Sequence, residues 1–302
     1  MKTFKGSLTM KRSSFHLSLS FPAHSFPTTS IYPFIDPSPH FSAQTFASKV
    51  VLVTGASRGI GASIAQHFSR AGASLALVAR NEDKLGAVKA EIEATVPGAR
   101  VLTFVVDVRD TAQVSKAVAD TVKHFGRLDV LVANAGVMRP LGTRFASVDP
   151  IAWWDTLEIN LRGVFNFVHF AIPHLQKSGG YVVAISSVGS QVRVPTESDY
   201  SISKQAVNRL VEFVPIEYPG VKAFAVHPGN VPTDMALGSG APVSFDTGPE
   251  LAAATVLHLA AGKADWLNGR FVSSLWDLGE VESKYKAAIL EKNALVHKLL
   301  LP

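Results

Sequence analysis

The chain contains no cysteine among its 302 residues, and it has no long uninterrupted apolar run. The absence of cysteine excludes disulfides, thiolate nucleophiles and cysteine-ligated zinc, and it is compatible with a reducing compartment without proving one. No apolar run approaches the roughly 18 residues that a membrane-spanning helix needs, so we expect no membrane span. The length allows one large α/β domain or two small ones.

Acidic residues are scarce at the N-terminus. Residues 1–46 hold four basic residues, one acid and five prolines, and they carry most of the formal net charge of +5. This basic, Ser-rich composition is typical of an organellar transit peptide, but arginine is rare and the prolines interrupt any long helix. We expect a largely disordered leader, or translation from Met10, with Tyr32–Ser38 as an extended arm on the domain surface. We expect a cytoplasmic location, with organellar import as the alternative.

The body, residues 47–302, is nearly balanced in charge and has no Lys/Arg cluster, so we expect no nucleic-acid partner. Apolar segments alternate with amphipathic ones. The predicted strands are Val50–Thr54, Ser74–Ala79, Arg100–Val106, Leu128–Ala133, Tyr181–Ser186, Val221–His227 and Arg270–Ser274. Helices are predicted after Gly61, over Asn81–Thr95, Thr111–Phe125 and Ala152–Gln176, around Tyr200, and over Pro249–Ala261 and Glu280–Leu301. Such alternation predicts an α/β fold in which helices cover both faces of a parallel sheet.

A glycine-rich turn connects the first strand to the helix that follows it. The turn reads Gly55-Ala56-Ser57-Arg58-Gly59-Ile60-Gly61. Glycines in this context allow a tight bend and let a pyrophosphate approach the backbone amides at the helix start. The strand–turn–helix arrangement therefore predicts a dinucleotide-binding site.

Arg80 follows the second strand, where an NAD-binding fold usually presents a carboxylate to the ribose hydroxyls. A carboxylate would repel a 2′-phosphate, whereas the planar guanidinium groups of Arg80 and Arg58 match one. We therefore expect NADP(H) as the cofactor, with NAD(H) as the alternative. The other interpretation of both arginines is solvated surface charge.

Small and polar residues follow the later strands. Asp107 and Val108 follow the third strand, where Asp107 is expected to accept a hydrogen bond from an adenine amino group or, alternatively, to cap a helix. The fourth strand is followed by Asn134-Ala135-Gly136, which leaves room for a dinucleotide. The sixth is followed by a turn with Pro228, Gly229, Val231 and Thr233, which is expected at the nicotinamide end unless it is an ordinary loop.

Tyr200 and Lys204 are four residues apart, so they share one face of a predicted helix. A nearby ammonium favours the phenolate, and we expect Lys204 to lower the pKa of Tyr200. Such a tyrosine can exchange a proton with a carbonyl or alcohol oxygen near neutral pH. Ser187 lies 13 residues before Tyr200 and is placed to hold the substrate oxygen. Asn160 lies within a predicted helix although asparagine has a poor helix propensity. Either its side chain has a functional role, or it simply belongs to the polar face of the helix.

Together these motifs resemble the short-chain dehydrogenase/reductase family, in its single-domain branch. The matching residues span about 49 to 276 and are Thr54, Gly55, Gly59, Gly61, Asp107, Asn134-Ala135-Gly136, Asn160, Ser187, Tyr200, Lys204 and Pro228-Gly229. The resemblance implies a three-layer Rossmann fold with a doubly wound, seven-stranded sheet that binds NAD(P)(H). It implies that Tyr200 is the general acid or base and that Ser187 polarises the substrate oxygen. It also implies that Lys204 binds the nicotinamide ribose and that Asn160 holds a water relaying protons from Lys204.

The resemblance further implies a homodimer or homotetramer through the helices that carry Asn160 and Tyr200. Pro215 is expected to shorten or kink the second of these helices. The last strand leads to Leu275-Trp276-Asp277 where the family commonly has Val-Asp-Gly-Gly. The C-terminal helix and the Tyr32–Ser38 arm look similar to a subgroup found in fungal specialised-metabolite pathways.

The segment Asp234–Pro249 is expected to form a mobile apolar flap, or else an ordinary surface loop. Candidate pocket walls are Met235, Leu237, Val243, Phe245, Val137, Met138, Val188, Val194, Trp153 and Trp154. An apolar pocket with few charges suits a hydrophobic ketone, aldehyde or secondary alcohol. The leading hypothesis is an NADP(H)-dependent oxidoreductase of a specialised-metabolite pathway. The alternatives are an NAD-dependent alcohol dehydrogenase, a non-catalytic NADP-binding sensor or scaffold, and a dehydratase or epimerase on the same scaffold.

Overall fold

Seven strands form one sheet in the computed structural model, which describes residues 28–241 and 243–299. The strands are β1 (Val50–Thr54), β2 (Ser74–Ala79), β3 (Val101–Val105), β4 (Val130–Ala133), β5 (Tyr181–Ile185), β6 (Lys222–His227) and β7 (Arg270–Ser273). All pairs are parallel and the order is β3-β2-β1-β4-β5-β6-β7. The predicted doubly wound, seven-stranded parallel sheet is confirmed. Of the leader predicted over residues 1–46, residues 1–27 lie outside the described residues.

Helices cover both faces of this sheet. They are α1 (Ser38–Ser42), α2 (Gly59–Arg70), α3 (Glu82–Thr95), α4 (Thr111–Phe125), α5 (Pro150–Leu157), α6 (Gly163–Ser178), α7 (Ser198–Glu217), α8 (Asp234–Gly238), α9 (Pro249–Ala260), α10 (Leu278–Glu280) and α11 (Lys286–Glu291). Helices α2, α3 and α9 pack on one face, and α4, α6 and α7 pack on the other. Every residue of β1, β2 and β4 is buried, because both faces of these strands are covered.

Parallel pairing places the carboxyl ends of all strands at one edge of the sheet. Strand β1 pairs with both β2 and β4, so the chain reverses its direction of progress across the sheet at β1. The glycine-rich turn leaves β1 at this point. A crevice at such a switch point is where ligands of open α/β sheets bind.

The single helix predicted over Ala152–Gln176 is divided into α5 and α6. A π-helical turn, Glu158–Arg162, lies between them and contains Asn160. Pro173 lies inside α6 without ending it. Helix α7 continues through Pro215 to Glu217, so the expected shortening is wrong, while the alternative of a kink stays a prediction. Pro215 removes only the hydrogen bond that its missing amide would donate to the carbonyl of Val211, and the helix continues for two further residues.

The segment Tyr32–Ser38 does not form the extended arm on the surface that we expected. Pro33–Ile35 is a 3₁₀ turn and α1 follows it, each with a proline in its first turn. Proline has a fixed φ that suits the first turn of a helix, which is why the same residues that favoured an extended arm begin helical turns here. Tyr32, Ile35 and Phe46 are buried in the layer of α2 and α9, so this segment is part of the core.

The predicted C-terminal helix Glu280–Leu301 is shorter than expected. It consists of α10, a π-helical turn and α11, and it ends at Glu291. Asn293 then adopts a positive φ of 45°, and its side chain accepts a hydrogen bond from Arg270 at 3.2 Å. The following residues turn back towards α7. Among the described residues, no helix is both long and apolar enough to cross a membrane.

Candidate active site

Tyr200, Lys204 and Ser187 come together at the carboxyl end of β5. Helix α7 begins at Ser198, so Tyr200 and Lys204 lie on its first two turns. The Lys204 Nζ atom donates to the carbonyl oxygen of Ile185 at 2.7 Å and lies 5.8 Å from the centroid of the Tyr200 ring. A short 3₁₀ turn, Val188–Ser190, follows Ser187. A Cβ atom built on Gly189 would lie 3.3 Å from Ser187 Oγ and 3.4 Å from Tyr200 Cε1, so both groups border the same point.

Burial controls the ionisation of this pair. It raises the pKa of Tyr200 to about 12. The hydrogen bond to Ser187 lowers this pKa, and the negative charge of Glu197 raises it. Burial also lowers the pKa of Lys204 to about 8. The expected lowering of the Tyr200 pKa by Lys204 is therefore wrong for this chain by itself. Desolvation penalises both charged forms, and the ammonium is directed at a backbone carbonyl.

Asn160 is fully buried and joins two elements of the site. Its Oδ1 atom accepts from the amide of Val137 at 2.8 Å. Its Nδ2 atom donates to the Val137 carbonyl at 2.9 Å and to Ser203 Oγ at 3.0 Å. Asn160 thereby ties the loop after β4 to helix α7, beside the turn that carries Lys204. The expected water relay stays a prediction.

The glycine-rich turn is held by Asn134 from the neighbouring strand. The Asn134 side chain donates to the carbonyls of Thr54 and Gly55 at 3.0 and 3.1 Å. Gly55 has a positive φ of 65°, and a Cβ atom on Gly61 would lie 2.3 Å from the Gly55 carbonyl oxygen. Only glycine fits at these two positions. Asn134 thus has a positioning role that we did not expect, while the adjacent Ala135 and Gly136 are half-buried beside the crevice.

The start of α2 suits an anionic ligand. Its N-cap residue, Arg58, makes no side-chain cap hydrogen bond, so the first amides of this 12-residue helix have no acceptor within it. Ser57 is half-buried at the turn, and Ile60 packs against the core below it. These uncapped amides and the closely packed glycines fit the pyrophosphate of a dinucleotide.

The two arginines predicted to bind a 2′-phosphate have different neighbours. Arg58 is exposed and its NH1 atom lies 3.3 Å from Asp234. Arg80 is exposed and contributes, as a lesser cause, to a lowered pKa of Asp107. The main cause of that lowering is the hydrogen bond with Arg109, whose guanidinium contacts both Asp107 oxygens. Binding of adenine by Asp107 stays a prediction.

The remaining predicted cofactor residues lie on two neighbouring surfaces. Val108 is buried, and its carbonyl accepts from Asn166 at 2.9 Å. In the turn after β6, Gly229 has a φ of 89°, while Pro228 and Val231 are buried. Thr233 caps α8, and its Cγ2 atom lies 3.2 Å from the point where a Cβ atom on Gly59 would be. The turn after β6 therefore adjoins the glycine-rich turn after β1.

Several site residues were missed by the sequence analysis. Asp199, directly before Tyr200, is buried with a salt bridge to Arg139 at 2.5 Å and a hydrogen bond from Thr156 at 2.8 Å. Asn208 is buried, accepts from Ser186 Oγ at 2.5 Å and donates to Ser190 Oγ at 2.8 Å. The position of these residues on the tyrosine helix was a possible signal. Their partners are distant in the chain and carry no local pattern.

The predicted pocket walls differ in burial, and Leu237 and Val243 are exposed at 57% and 43%. Val137, Met138, Val188 and Val194 are half-buried near the site. Trp154 is 59% exposed, so it is a surface residue, whereas Trp153 Nε1 donates to Ser198 Oγ at 3.0 Å. The predicted flap contains α8, and the amide of Leu141 donates to the carbonyl of Ser239 at 2.9 Å. The flap thus contacts the loop after β4.

The fold and these residues identify the family. The short chain dehydrogenase family matches residues 49–241. The chain therefore belongs to the short-chain dehydrogenase family, whose members are NAD(P)-dependent oxidoreductases. The resemblance drawn from the sequence is confirmed.

Fungal proteins are among its relatives. The chain is 38% identical over 264 residues to the short chain dehydrogenase tazN of Aspergillus terreus. This match covers 84% of this chain and 57% of tazN. It is 39% identical over 262 residues to the short chain dehydrogenase mpl6 of Monascus purpureus, which covers 84% of this chain and 89% of mpl6. The chain thus spans little more than half of the first relative and most of the second.

Solved structures share the fold. Levodione reductase has a TM-score of 0.71 at 30% identity, covering 80% of this chain and all of that one. The alcohol dehydrogenase from the archaeon Thermococcus sibiricus, complexed with 5-hydroxy-NADP, has a TM-score of 0.67 at 30% identity. The match covers 74% of this chain and 95% of that one. Carveol dehydrogenase from Mycobacterium avium, in complex with NAD, has a TM-score of 0.69 at 27% identity. The match covers 75% of this chain and 96% of that one. Neighbours of this fold bind either form of the cofactor.

Proposed function

We propose that this protein interconverts a ketone or aldehyde and an alcohol on a hydrophobic small molecule, with NADP(H), in a fungal specialised-metabolite pathway. The observation that carries the proposal is the convergence of the Ser187 hydroxyl and the Tyr200 ring on one point beside Gly189, with the buried Lys204 behind them. Half-buried valines border this region, which supports an apolar substrate. The similarity to fungal short chain dehydrogenases supports the pathway.

Each catalytic residue has one task in this proposal. A bound nicotinamide cofactor supplies or accepts the hydride. Tyr200, whose pKa of about 12 keeps it protonated at neutral pH, donates its proton to the substrate oxygen in reduction and recovers it in oxidation. Ser187 holds the same oxygen by a hydrogen bond. Lys204 supplies a positive charge behind the phenol, and Asn160 keeps the adjoining loop against α7.

NADP(H) is proposed over NAD(H) because of Arg80. This arginine is exposed after β2, and it forms no salt bridge with any residue between 28 and 299 that the structure describes. Its guanidinium is therefore available to a 2′-phosphate. We expect Arg80→Ala to lower the ratio of kcat/KM with NADPH to that with NADH by about tenfold, the loss of one charge-assisted contact. An unchanged ratio would contradict the role of Arg80.

NADPH oxidation over a panel of hydrophobic ketones and quinones tests the function. We expect turnover by the wild type and a loss of about a thousandfold in Tyr200→Phe, the usual size of a general-acid contribution. Tyr32→Phe is the matched control, since it removes an equally buried phenol far along the chain. Turnover that survives in Tyr200→Phe would overturn the mechanism. NADPH binding by the wild type without turnover of any substrate would support the sensor or scaffold alternative.

A further inference from the structure

Two buried carboxylates flank the start of α7, and their surroundings differ. Asp199 is 2% exposed and is paired with the guanidinium of Arg139 as well as the hydroxyl of Thr156. Glu197 is 7% exposed, and Ser201 is its one side-chain hydrogen-bond donor among the described residues, at 3.1 Å. No described cation lies within salt-bridge distance of Glu197. A buried carboxylate with one neutral partner is costly unless a further donor approaches it.

The Glu197 carboxylate lies between its own helix and the turn after Ser187, because the Oε1 atom that accepts from Ser201 also borders Gly189. Glu197 occupies the N-cap position of α7, yet its side chain makes no cap hydrogen bond. Its Oε1 atom lies 2.6 Å from the point where a Cβ atom on Gly189 would be. That point is the one bordered by Ser187 Oγ and Tyr200 Cε1 at 3.3 and 3.4 Å. The carboxylate therefore adjoins the groups that would hold the reacting oxygen.

The electrostatics agree with this placement. Burial raises the pKa of Glu197, Ser201 lowers it, and the charge of Asp199 raises it further. Glu197 in turn raises the pKa of Tyr200. The carboxylate thus interacts electrostatically with the phenol, and its hydrogen-bonding capacity is only partly used by the protein. A ligand that donates a hydrogen bond would satisfy it.

We propose that Glu197 determines substrate specificity by accepting a hydrogen bond from a hydroxyl group of the substrate. The favoured substrates are then hydrophobic ketones, or the corresponding alcohols, that carry a hydroxyl group on a carbon other than the reacting one. A neutral hydroxyl is favoured over an ammonium because Lys204 already places a buried positive charge in this site. The inference rests on the proposed function, since it assigns the substrate class of the same site. It adds one polar group to a pocket that we expected to be apolar.

Matched substrate pairs test this assignment. Each pair is a tetralone with a hydroxyl on its aromatic ring and the corresponding methyl ether, with the hydroxyl at each open position in turn. We expect the wild type to favour at least one hydroxyl compound over its ether by about tenfold or more in kcat/KM, since a site with a committed acceptor rejects a ligand that lacks the donor. The same preference is expected in dissociation constants measured by calorimetry with NADP⁺ present.

Two variants isolate the carboxylate. Glu197→Leu removes the acceptor and is expected to bring the hydroxyl-to-ether ratio close to one. Glu197→Gln keeps the shape and a weaker acceptor, and is expected to lower the ratio about threefold, since the charge-assisted part of the bond is lost. Glu217→Gln, at the exposed end of the same helix, is the control and should leave the ratio unchanged. Thermal unfolding shows whether each variant is folded. If Glu197→Leu does not fold, the hydroxyl-to-ether ratio of Glu197→Gln decides the test.

The outcomes separate this inference from the proposed function. A wild type without preference for any hydroxyl compound, or variants that retain the preference, would overturn the role of Glu197. An equal loss for both members of every pair would also overturn it, because that result indicates positioning of Tyr200 and not recognition. If no tetralone is turned over, the proposed ketone reduction fails for these substrates, and the calorimetric ratio still decides whether Glu197 binds the hydroxyl.

Discussion

Two tyrosines in this protein are equally buried and have different hydrogen-bond partners. Tyr32, in the N-terminal segment, and Tyr200, in the site, are each 8% exposed, and burial raises the pKa of both. The Tyr32 hydroxyl donates to the Trp276 carbonyl at 2.8 Å and accepts from the Leu278 amide at 3.0 Å. Both partners are backbone groups that cannot turn away. The partner of Tyr200 is the hydroxyl of Ser187, a side chain that can turn towards a ligand.

The comparison shows that burial alone does not identify a catalytic phenol. The partners of the hydroxyl matter as well, because a hydroxyl that donates its proton to a backbone carbonyl has no proton left to donate to a substrate. Tyr200 also has the buried ammonium of Lys204 behind its ring, whereas the charge that affects the pKa of Tyr32 is the carboxylate of Asp277. The experiments below therefore separate effects on activity from effects on stability.

After Tyr200→Phe itself, the largest effect on activity is expected from Lys204→Met. Loss of the ammonium should lower kcat/KM by about a hundredfold or more, because the proton transfer at Tyr200 loses its electrostatic support. NADPH oxidation measures the loss. Retained activity would remove the main difference between Tyr200 and Tyr32.

The same variant has a distinct pH signature in stability. The folded pKa of Lys204, about 8, lies below its ordinary value of 10.5, so the unfolded chain binds more protons between these values. The free energy of unfolding contributed by Lys204 therefore rises with pH from about 8 to 10.5, by a few kcal/mol at most. Tyr200 acts in the opposite direction, but only above its ordinary value of 10.0. Denaturant unfolding between pH 8 and 10 should show the rise in the wild type and not in Lys204→Met.

Asp199→Asn is expected to affect stability strongly and activity secondarily. Removal of one partner leaves the Arg139 guanidinium, which is 19% exposed, without its carboxylate. Breaking a buried pair in this way costs about 3–5 kcal/mol. Urea unfolding measures the loss, and Thr156→Val, which removes only the neutral hydrogen bond, should lose about 1 kcal/mol. A loss in Asp199→Asn no greater than that in Thr156→Val would show that the pair is not effectively buried.

The smallest effect is expected from Tyr32→Phe. The Leu278 amide and the Trp276 carbonyl lose their shared partner, which should lower the free energy of unfolding by about 1–3 kcal/mol. The value of kcat/KM should stay within about twofold of the wild type, because neither group belongs to the site. Thermal unfolding and NADPH oxidation on the same samples measure both quantities. A tenfold loss of activity in a folded Tyr32→Phe protein would show that the N-terminal segment is coupled to the site.

Local patterns predicted most of the fold. Every strand was placed within one or two residues, because a short apolar run bounded by polar residues and glycine has few alternatives in an α/β chain. The two short helices of residues 33–42 were not predicted, since a proline suits both an extended arm and the first turn of a helix. The end of the last helix at Glu291 was missed as well. Arg270, more than twenty residues earlier, holds the turn that follows it.

The candidate site shows the same division. Tyr200 and Lys204 were predicted as neighbours because four residues make about one turn of a helix, and the glycine-rich turn because it lies directly between a strand and a helix. Asn134 was predicted for the space it leaves and proved to hold the glycine-rich turn through two backbone carbonyls. Glu197 and Asp199 carried no signal that distinguished them from surface acids.

The sequence by itself determined the alternation of strands and helices, the family, and the spacing of the reactive groups along α7. The alternation and the spacing depend on residues within one or two turns of each other, and the family follows from short local motifs taken together along the chain. The tertiary structure decided the direction of the Tyr200 pKa shift, the pairing of Asp199 with Arg139 and the position of Glu197 beside Ser187 and Tyr200. Those properties depend on burial and on partners up to 60 residues away, and the dielectric surroundings of a charged group exist only once distant segments have packed around it.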